Sequence, residues 1–174
     1  MTKPAAVEVI LLSSVALVRD KGLEGWSIER VANGAHCAKA LVIHHYRNRP
    51  SLLRATGQRI AEMRLARRTA ALAGGGTEAL DRLWQTMVED VETGLTKAVF
   101  GLAAHRYPTR RTDDPVLLHA AIATALDVPA DAVADPIAVM AMLDGVEFQM
   151  LQADAPGAAR PSFDRLWITL IEAA

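Results

Sequence analysis

Between Ser27 and Tyr46 the chain reads as two short helices pinched around a tight turn, and this constrains its fold more than any other feature. Ser27 is placed to cap a helix from Ile28 to about Asn33, with Arg30 where a capping box would carry an acid. Gly34, Ala35 and His36 form the turn, and a further helix runs from about Ala38 to His45. Asn48 then caps a long helix with Pro50 in its first turn, where a missing N–H is tolerated. Neither short helix is long enough to be stable alone, so each must pack on a neighbour. The spacing turns Ile28, Val31 and Ala32 of one helix toward Cys37, Val42 and Tyr46 of the other, and small Ala32 and Ala35 permit close approach. Ala38, Lys39, Leu41, Ile43 and His44 are left on the outer face of the second helix. A single helix of that width fits a DNA major groove about 12 Å wide.

The flanking sequence is helical throughout. A first helix is expected from Thr2 as cap, with Lys3 and Pro4 in its first turn, through Ile10 and Leu17 to a stop at Gly22. Leu23 and Trp26 can pack back onto it. Gly74, Gly75 and Gly76 end the long helix, and Thr77 caps the next, which carries Leu80, Leu83, Trp84, Met87, Val88 and Val91 on one side. Breaks are expected near Gly94 and Gly101, and a loop from Pro108 to Pro115. Helices then run from Leu117 to Leu126, from Asp135-Pro136 through Leu151, and from Ser162 onward after a loop at Asp154 to Pro161. The expected class is all-α, with a helix-turn-helix head over residues 1–48 and a helical body over residues 49–174. No alternating strand pattern competes, and 51% hydrophobic residues suffice for a core.

Charge separates head from body. The net charge of -1 conceals 12 Lys/Arg against 5 Asp/Glu in residues 1–70, and 7 against 15 in residues 71–174. A basic head on an acidic body fits a polyanion at one end only. The alternative is that Arg54, Arg59, Arg64, Arg67 and Arg68 solvate one helix face. The single Cys37 gives no disulfide framework and suits a reducing compartment. No apolar stretch approaches the roughly 20 residues of a membrane span, and no signal-peptide pattern opens the chain, so a cytoplasmic protein is expected.

Enzyme chemistry finds no support in the residues. No nucleophile–base–orienter spacing occurs, and Glu89, Asp90 and Glu92 read as a solvated helix face. The glycine triplet has no following Lys-Ser/Thr and no preceding strand, so it is not a phosphate loop. Adjacent His44 and His45 point about 100° apart on a helix, and Cys37 lies on the core side, so no metal site is expected. No cofactor is implied and no residue is assigned a catalytic role.

Three linked runs resemble the TetR family of bacterial transcription regulators: Ser27-Ile28-Glu29-Arg30-Val31-Ala32, then Ala38 to Tyr46, then Asn48-Arg49-Pro50-Ser51-Leu52-Leu53. Ile10 to Gly22 is similar to the family's first helix, and the strong resemblance covers residues 8–55. Beyond it only length, helix order and an Asp144-Gly145 pair in a late apolar helix match. The resemblance implies a DNA-binding set of Ser27, Ala38, Lys39, Leu41, Ile43, His44, His45 and Arg49. Lys39 and Arg49 would neutralise phosphates, and the histidines would donate to phosphate or, for His44, a base edge. For the two histidines the alternative is one buried and one facing solvent. Family members usually carry glycine at the position of His36, threonine at Leu41 and tyrosine at Ile43. The apolar pair here would contact thymine methyls or, alternatively, a protein.

In the body, the resemblance implies a small-molecule pocket and a dimer formed by the last two helices. Met63, Trp84, Met87, Val91, His105 and Met140 are the pocket candidates, with ordinary core packing as the alternative. Leu143, Gly145, Phe148, Leu151, Leu166, Trp167 and Leu170 are the dimer candidates, Gly145 allowing close helix crossing. The expected function is a homodimeric repressor on a pseudo-palindromic operator in double-stranded DNA, released by a small apolar effector. Two alternatives are a relative that has lost specific DNA binding and acts by protein contact, and a structural helical module, which the basic head disfavours.

Overall fold

The computed structural model describes residues 6–172, so the expected cap at Thr2 and first turn at Lys3 and Pro4 lie outside the described residues, as do the side chains of Thr77 and Leu170. The described residues form nine α-helices and two short 3-10 turns, with no strand. The helices are α1 (Ala6–Lys21), α2 (Ile28–Gly34), α3 (Lys39–Tyr46), α4 (Arg49–Leu72), α5 (Gly76–Glu92), α6 (Leu95–Ala104), α7 (Asp114–Leu126), α8 (Pro136–Gln152) and α9 (Arg160–Glu172). They group into two compact units. One holds residues 6–62 with 97–111, the other residues 63–96 with 112–172.

The first unit is built on α1, α2, α3 and the first half of α4. α1 stops at Gly22, whose φ of +65° suits glycine and whose N–H donates to the Val18 carbonyl at 2.9 Å. Ile10, Val18, Val31, Val42, Leu52, Leu53 and Ile60 are almost fully buried, which gives the short helices the packing they lack alone. Trp26 closes over α1 as expected, at 3% exposure. A polar chain runs through this core. The Trp26 indole N–H donates to Ser14 Oγ at 2.9 Å, the Ser14 hydroxyl donates to Thr56 Oγ1 at 2.7 Å, and the Thr56 hydroxyl donates to the Leu52 carbonyl at 2.8 Å. That direction follows because the Leu52 carbonyl can only accept, so the Thr56 hydroxyl hydrogen is spent there and Ser14 must be the donor to Thr56.

Residues 97–111 complete this unit. α6 carries Gly101 without a break, so the expected interruption falls only at Gly94, whose φ is +79°. Its closing turn rests on α4 at Gly57. A Cβ there would overlap the Pro108 carbonyl oxygen, and the notch exists because glycine has none.

The second unit packs around Leu83, Met87, Leu118, Ile122, Leu143, Met150 and Phe163, all at 0–1% exposure. Phe163 sits between Trp84 and Trp167, tilted to the first and edge-to-face with the second, with ring centroids 5.2 and 5.4 Å away. Arg160 ties α9 to α5: it donates to Asp81 at 2.6 Å and sits 5.4 Å over the Trp84 ring. Gly74, Gly75 and Gly76 all have positive φ, and α5 begins at Gly76 with Gly75 in the cap position, two residues before the expected cap at Thr77. Arg82 reaches back to the end of α4, donating to the carbonyls of Ala71 and Ala73 at 2.9 and 2.7 Å. Asp135 caps α8 as expected, accepting from Ile137 N at 2.9 Å.

Two further helix starts differ from the sequence expectation. α7 begins at Asp114, not Leu117, because Pro115 occupies the first turn instead of closing the loop. α9 begins at Arg160, not Ser162, because a 3-10 turn over Pro156–Ala159 feeds straight into it and Pro161 again falls in the first turn. In both places proline reads equally as loop end or helix start.

Candidate nucleic-acid interface

The head's geometry starts from its caps. Ser27 Oγ accepts from the Arg30 N–H at 3.1 Å, while the Arg30 guanidinium donates to the Gly25 carbonyl at 2.7 Å. The cap therefore forms without the acid of a capping box. Asn48 Oδ1 accepts from Ser51 N–H at 2.9 Å and opens α4. Between the short helices, the left-handed position belongs to His36, with φ +51°. Gly34 stays helical and has a different purpose: a Cβ there would lie 2.5 Å from Ser13 Oγ, where α1 passes. Gly34 therefore does not take over the turn conformation from the missing glycine at 36. Ser13 fixes that crossing by donating to the Val31 carbonyl at 2.9 Å.

α3 then presents its outer face. Ala38, Lys39, Ile43, His44 and His45 are exposed, Ile43 at 42%, and Leu41 is half-buried. Val42 is fully buried beneath them and Tyr46 Oη donates to the Val7 carbonyl at 3.1 Å, anchoring the helix from behind. Both histidines face solvent, with rings edge-to-face at 5.2 Å, so the arrangement of one buried and one exposed does not occur. Arg49 is turned onto the head. It donates to the Leu23 carbonyl at 3.2 Å and its guanidinium lies 5.4 Å over the Trp26 ring, which fixes its position at the start of α4.

Solved structures share this architecture. A TetR-family transcriptional regulator from Streptomyces coelicolor superposes with a TM-score of 0.68 at 18% identity, over 98% of this chain and 100% of that one. A transcriptional regulator from Rhodococcus sp. Rha1 gives 0.74 at 16% identity, over 98% of each chain. The multidrug binding protein EbrR, in its complex with imidazole, gives 0.70 at 24% identity, over 97% of this chain and 91% of that one, and it is also seen complexed with ethidium. The fold is that of the TetR-family regulators. No protein-family model and no curated protein matches the chain.

Within the second unit of this TetR-like fold, Trp84, Met87 and Met140 come together in one packed core, with Val91 against its edge. Met63 is half-buried. His105 belongs to the other unit, is exposed, and has its Nδ1 3.0 Å from the Gly101 carbonyl. Of the dimer candidates, Leu143, Leu166 and Trp167 are buried in this same core, Leu151 is half-buried, and Gly145 and Phe148 are exposed. Among the described residues, the other exposed large apolar side chains on α8 and α9 are Ile137, Met142 and Ile168. Met142, Gly145 and Gln149 of α8 line a groove with Arg165, Leu166 and Thr169 of α9.

The sequence reading missed a buried ionic cluster. Arg64 and Arg68 do not solvate α4: they are 6% and 3% exposed, and both donate to Glu147 of α8. Asp90 is likewise not solvated, at 0% exposure, with Arg67 at 2.8 Å and Arg64 at 3.6 Å. Glu89 does face solvent and accepts from Arg67 at 2.7 Å. Burial alone would raise the Glu147 carboxyl, but Arg68 and Arg64 outweigh it and hold the group below its usual range. For Asp90 burial wins over its arginine neighbours and pushes the carboxyl up. Burial, then repulsion from Arg64, lowers Arg68. The available signal was positional: Arg64 and Arg68 lie four apart, and Glu147 falls on the Met140–Leu143–Met150 side of α8.

Proposed function

We propose that the chain is a ligand-responsive, DNA-binding transcriptional regulator, acting as a homodimeric repressor in the cytoplasm. The observation that carries this reading is the exposed outer face of α3, with Lys39, His44 and His45 on a helix whose back is pinned by Val42 and Tyr46. Lys39 neutralises phosphate, His44 and His45 donate to the backbone or a base edge, and Ile43 with Leu41 contacts thymine methyls. Arg49 meets phosphate from the start of α4, and Ser27 and Ala38 border the contact. No helix among the described residues is long and apolar enough to cross a membrane.

The dimer forms through α8 and α9, where Ile137, Met142, Phe148 and Ile168 leave apolar surface exposed and no atom lies within 4 Å of a Cβ at Gly145. Twofold symmetry then sets two α3 helices about 34–36 Å apart, one turn of a pseudo-palindromic operator. A small, largely apolar effector entering the body near Met87 and Met140 favours a spacing that no longer fits DNA. EbrR, a multidrug binding protein of the same fold, supports such a site. The test is a gel shift on the DNA upstream of the chain's own gene over a salt series. A folded dimer that gives no shift at low salt would sink this reading. It would favour a protein-contact role instead, for which Ile43 at 42% exposure is the supporting observation.

A further inference from the structure

The ionic cluster of the second unit takes no part in docking on DNA, yet it is buried where three helices meet. Arg64 and Arg68 come from α4, Asp90 from α5 and Glu147 from α8, all between 0% and 6% exposed. Buried polar atoms are seldom left without a hydrogen-bond partner. Here four have none among the described residues: Nε of Arg64, Nε of Arg68, and both carboxylate oxygens of Asp90, which its arginine neighbours approach without hydrogen-bond geometry. The charges balance only when a surface group is included. Three guanidinium groups, with Arg67, meet two fully buried carboxylates, and Glu89 balances Arg67 only from the surface.

Helical spacing ties this polar centre to an apolar one. Asp90 lies three residues after Met87 on α5, and Glu147 lies four after Leu143 and seven after Met140 on α8. Met87, Met140 and Leu143 belong to one core. Methionine is the side chain best able to move aside and repack around a guest. The inward faces of α5 and α8 therefore change from apolar to charged within one or two turns.

We infer that this cluster is the polar anchor of the body's ligand site, and that the ligand is an amphipathic organic acid whose carboxylate is received by Arg64 and Arg68 and whose tail lies against Met87, Met140 and Leu143. The inference rests on the effector-responsive reading above and gives that effector its chemical class. An anion supplies an acceptor to the Arg68 Nε–H, and a closer one to the Arg64 Nε–H, which meets Asp90 Oδ2 at 3.6 Å, beyond hydrogen-bond distance. A cation would meet three guanidinium groups, and a neutral hydrocarbon would leave the same donors buried and unpaired. Burial raises the Asp90 carboxyl, which weakens its hold on the neighbouring arginines and favours exchange for an incoming carboxylate.

Three probes with one tail and different heads test this on the full chain: sodium octanoate, 1-octanol and octylammonium chloride. Binding is read by calorimetry and by fluorescence of Trp84 and Trp167, which share the core. Octanoate is expected to bind saturably, about 10-fold or more tighter than octanol, with octylammonium weakest. Arg68→Gln is expected to abolish the preference for octanoate while leaving octanol binding in place. If that variant does not fold, the wild-type head-group series decides alone. Equal binding of the three probes, preference for octylammonium, or no saturable octanoate binding overturns the inference. A parallel gel shift separates the two readings. DNA binding without octanoate binding removes only the ligand class, and octanoate binding without DNA binding removes only the regulator.

Discussion

The indole N–H of Trp26 donates to Ser14 Oγ at 2.9 Å in a site where both residues are at most 3% exposed. Because Ser14 passes its own proton to Thr56, which caps its chain on the Leu52 carbonyl, one hydroxyl satisfies two buried neighbours on different segments. Ser14→Ala would strip the indole of its acceptor and Thr56 of a donor in one step. The expected loss is about 1–3 kcal/mol in denaturant unfolding, the cost of burying an unpaired polar group. Thr56→Val should cost less, since the indole keeps its partner. Equal effects from the two would mean that the Ser14 hydroxyl does not serve two buried neighbours.

Two helical glycines give opposite expectations. At Gly57 an added methyl meets the Pro108 carbonyl, so Gly57→Ala must push the turn after α6 away from α4. A loss of about 1–3 kcal/mol follows, as for other overpacked sites. At Gly101 nothing lies within 4 Å of a Cβ, and the residue is mid-helix in α6. Gly101→Ala should therefore stabilise by about 0.5–1 kcal/mol through helix propensity alone. Thermal unfolding of the two variants side by side checks the pair, and a stabilising Gly57→Ala would remove the notch from the account.

What was legible in the sequence was local. Gly22, Ser27, Asn48 and Asp135 announced helix ends because a cap is decided by a few adjacent residues. The exposed face of α3 followed from periodicity across eight residues. The ionic cluster was not legible, because its pairs join residues 83 and 79 positions apart and a charged residue on a helix carries no mark of its partner. Arg64 and Asp90 look like ordinary solvated charges until α8 supplies Glu147. Of the pocket candidates, Trp84, Met87 and Met140 share one core because apolar spacing identifies an inward side chain, whereas His105, singled out for its polarity, lies in the other unit.

The two buried carboxylates should respond to pH and substitution in opposite senses. Glu147 is held below its usual value of 4.5, so it contributes stability above that pH and the contribution fades as pH falls through the lower folded value. Asp90 is raised above its usual 3.8, so its contribution is complete below that pH and is lost as pH rises through the higher folded value. Glu147→Gln leaves two buried guanidinium groups without their counter-charge, and about 3–5 kcal/mol of stability should go at neutral pH. Asp90→Asn should cost clearly less at pH 7, because the carboxyl it replaces has no hydrogen-bond partner and burial already disfavours its charge. Urea unfolding at about pH 3, pH 5 and pH 7 checks both, and a larger cost for Asp90→Asn at pH 7 would contradict the ordering.

The apolar surface on α8 and α9 gives a separate expectation about assembly. Ile168 is 48% exposed and Ile137 70%, each on a helix that carries further exposed apolar side chains or small residues. Ile168→Glu should leave the unit's core intact, since its buried face is made by Phe163, Leu166 and Trp167. In sedimentation velocity the wild type is expected as a dimer and this variant as a folded monomer with weakened DNA binding. A variant that remains dimeric would place the subunit contact elsewhere.

The head offers the sharpest separation between phosphate contact and base reading. Lys39 is exposed at the start of α3, and Lys39→Ala should lower affinity for all DNA sequences alike. It should also reduce the slope of log affinity against log salt by about 1, the signature of one lost phosphate contact. Ile43→Ala should behave differently. Its exposed side chain has no charge to release a counterion, so the slope should stay constant while discrimination between thymine-rich and thymine-poor operators narrows. Fluorescence anisotropy over about 50–200 mM salt reads both quantities at once. If Ile43→Ala changes neither slope nor discrimination, while Lys39→Ala changes the slope, the apolar face of α3 is not reading bases and the head grips DNA by its backbone alone.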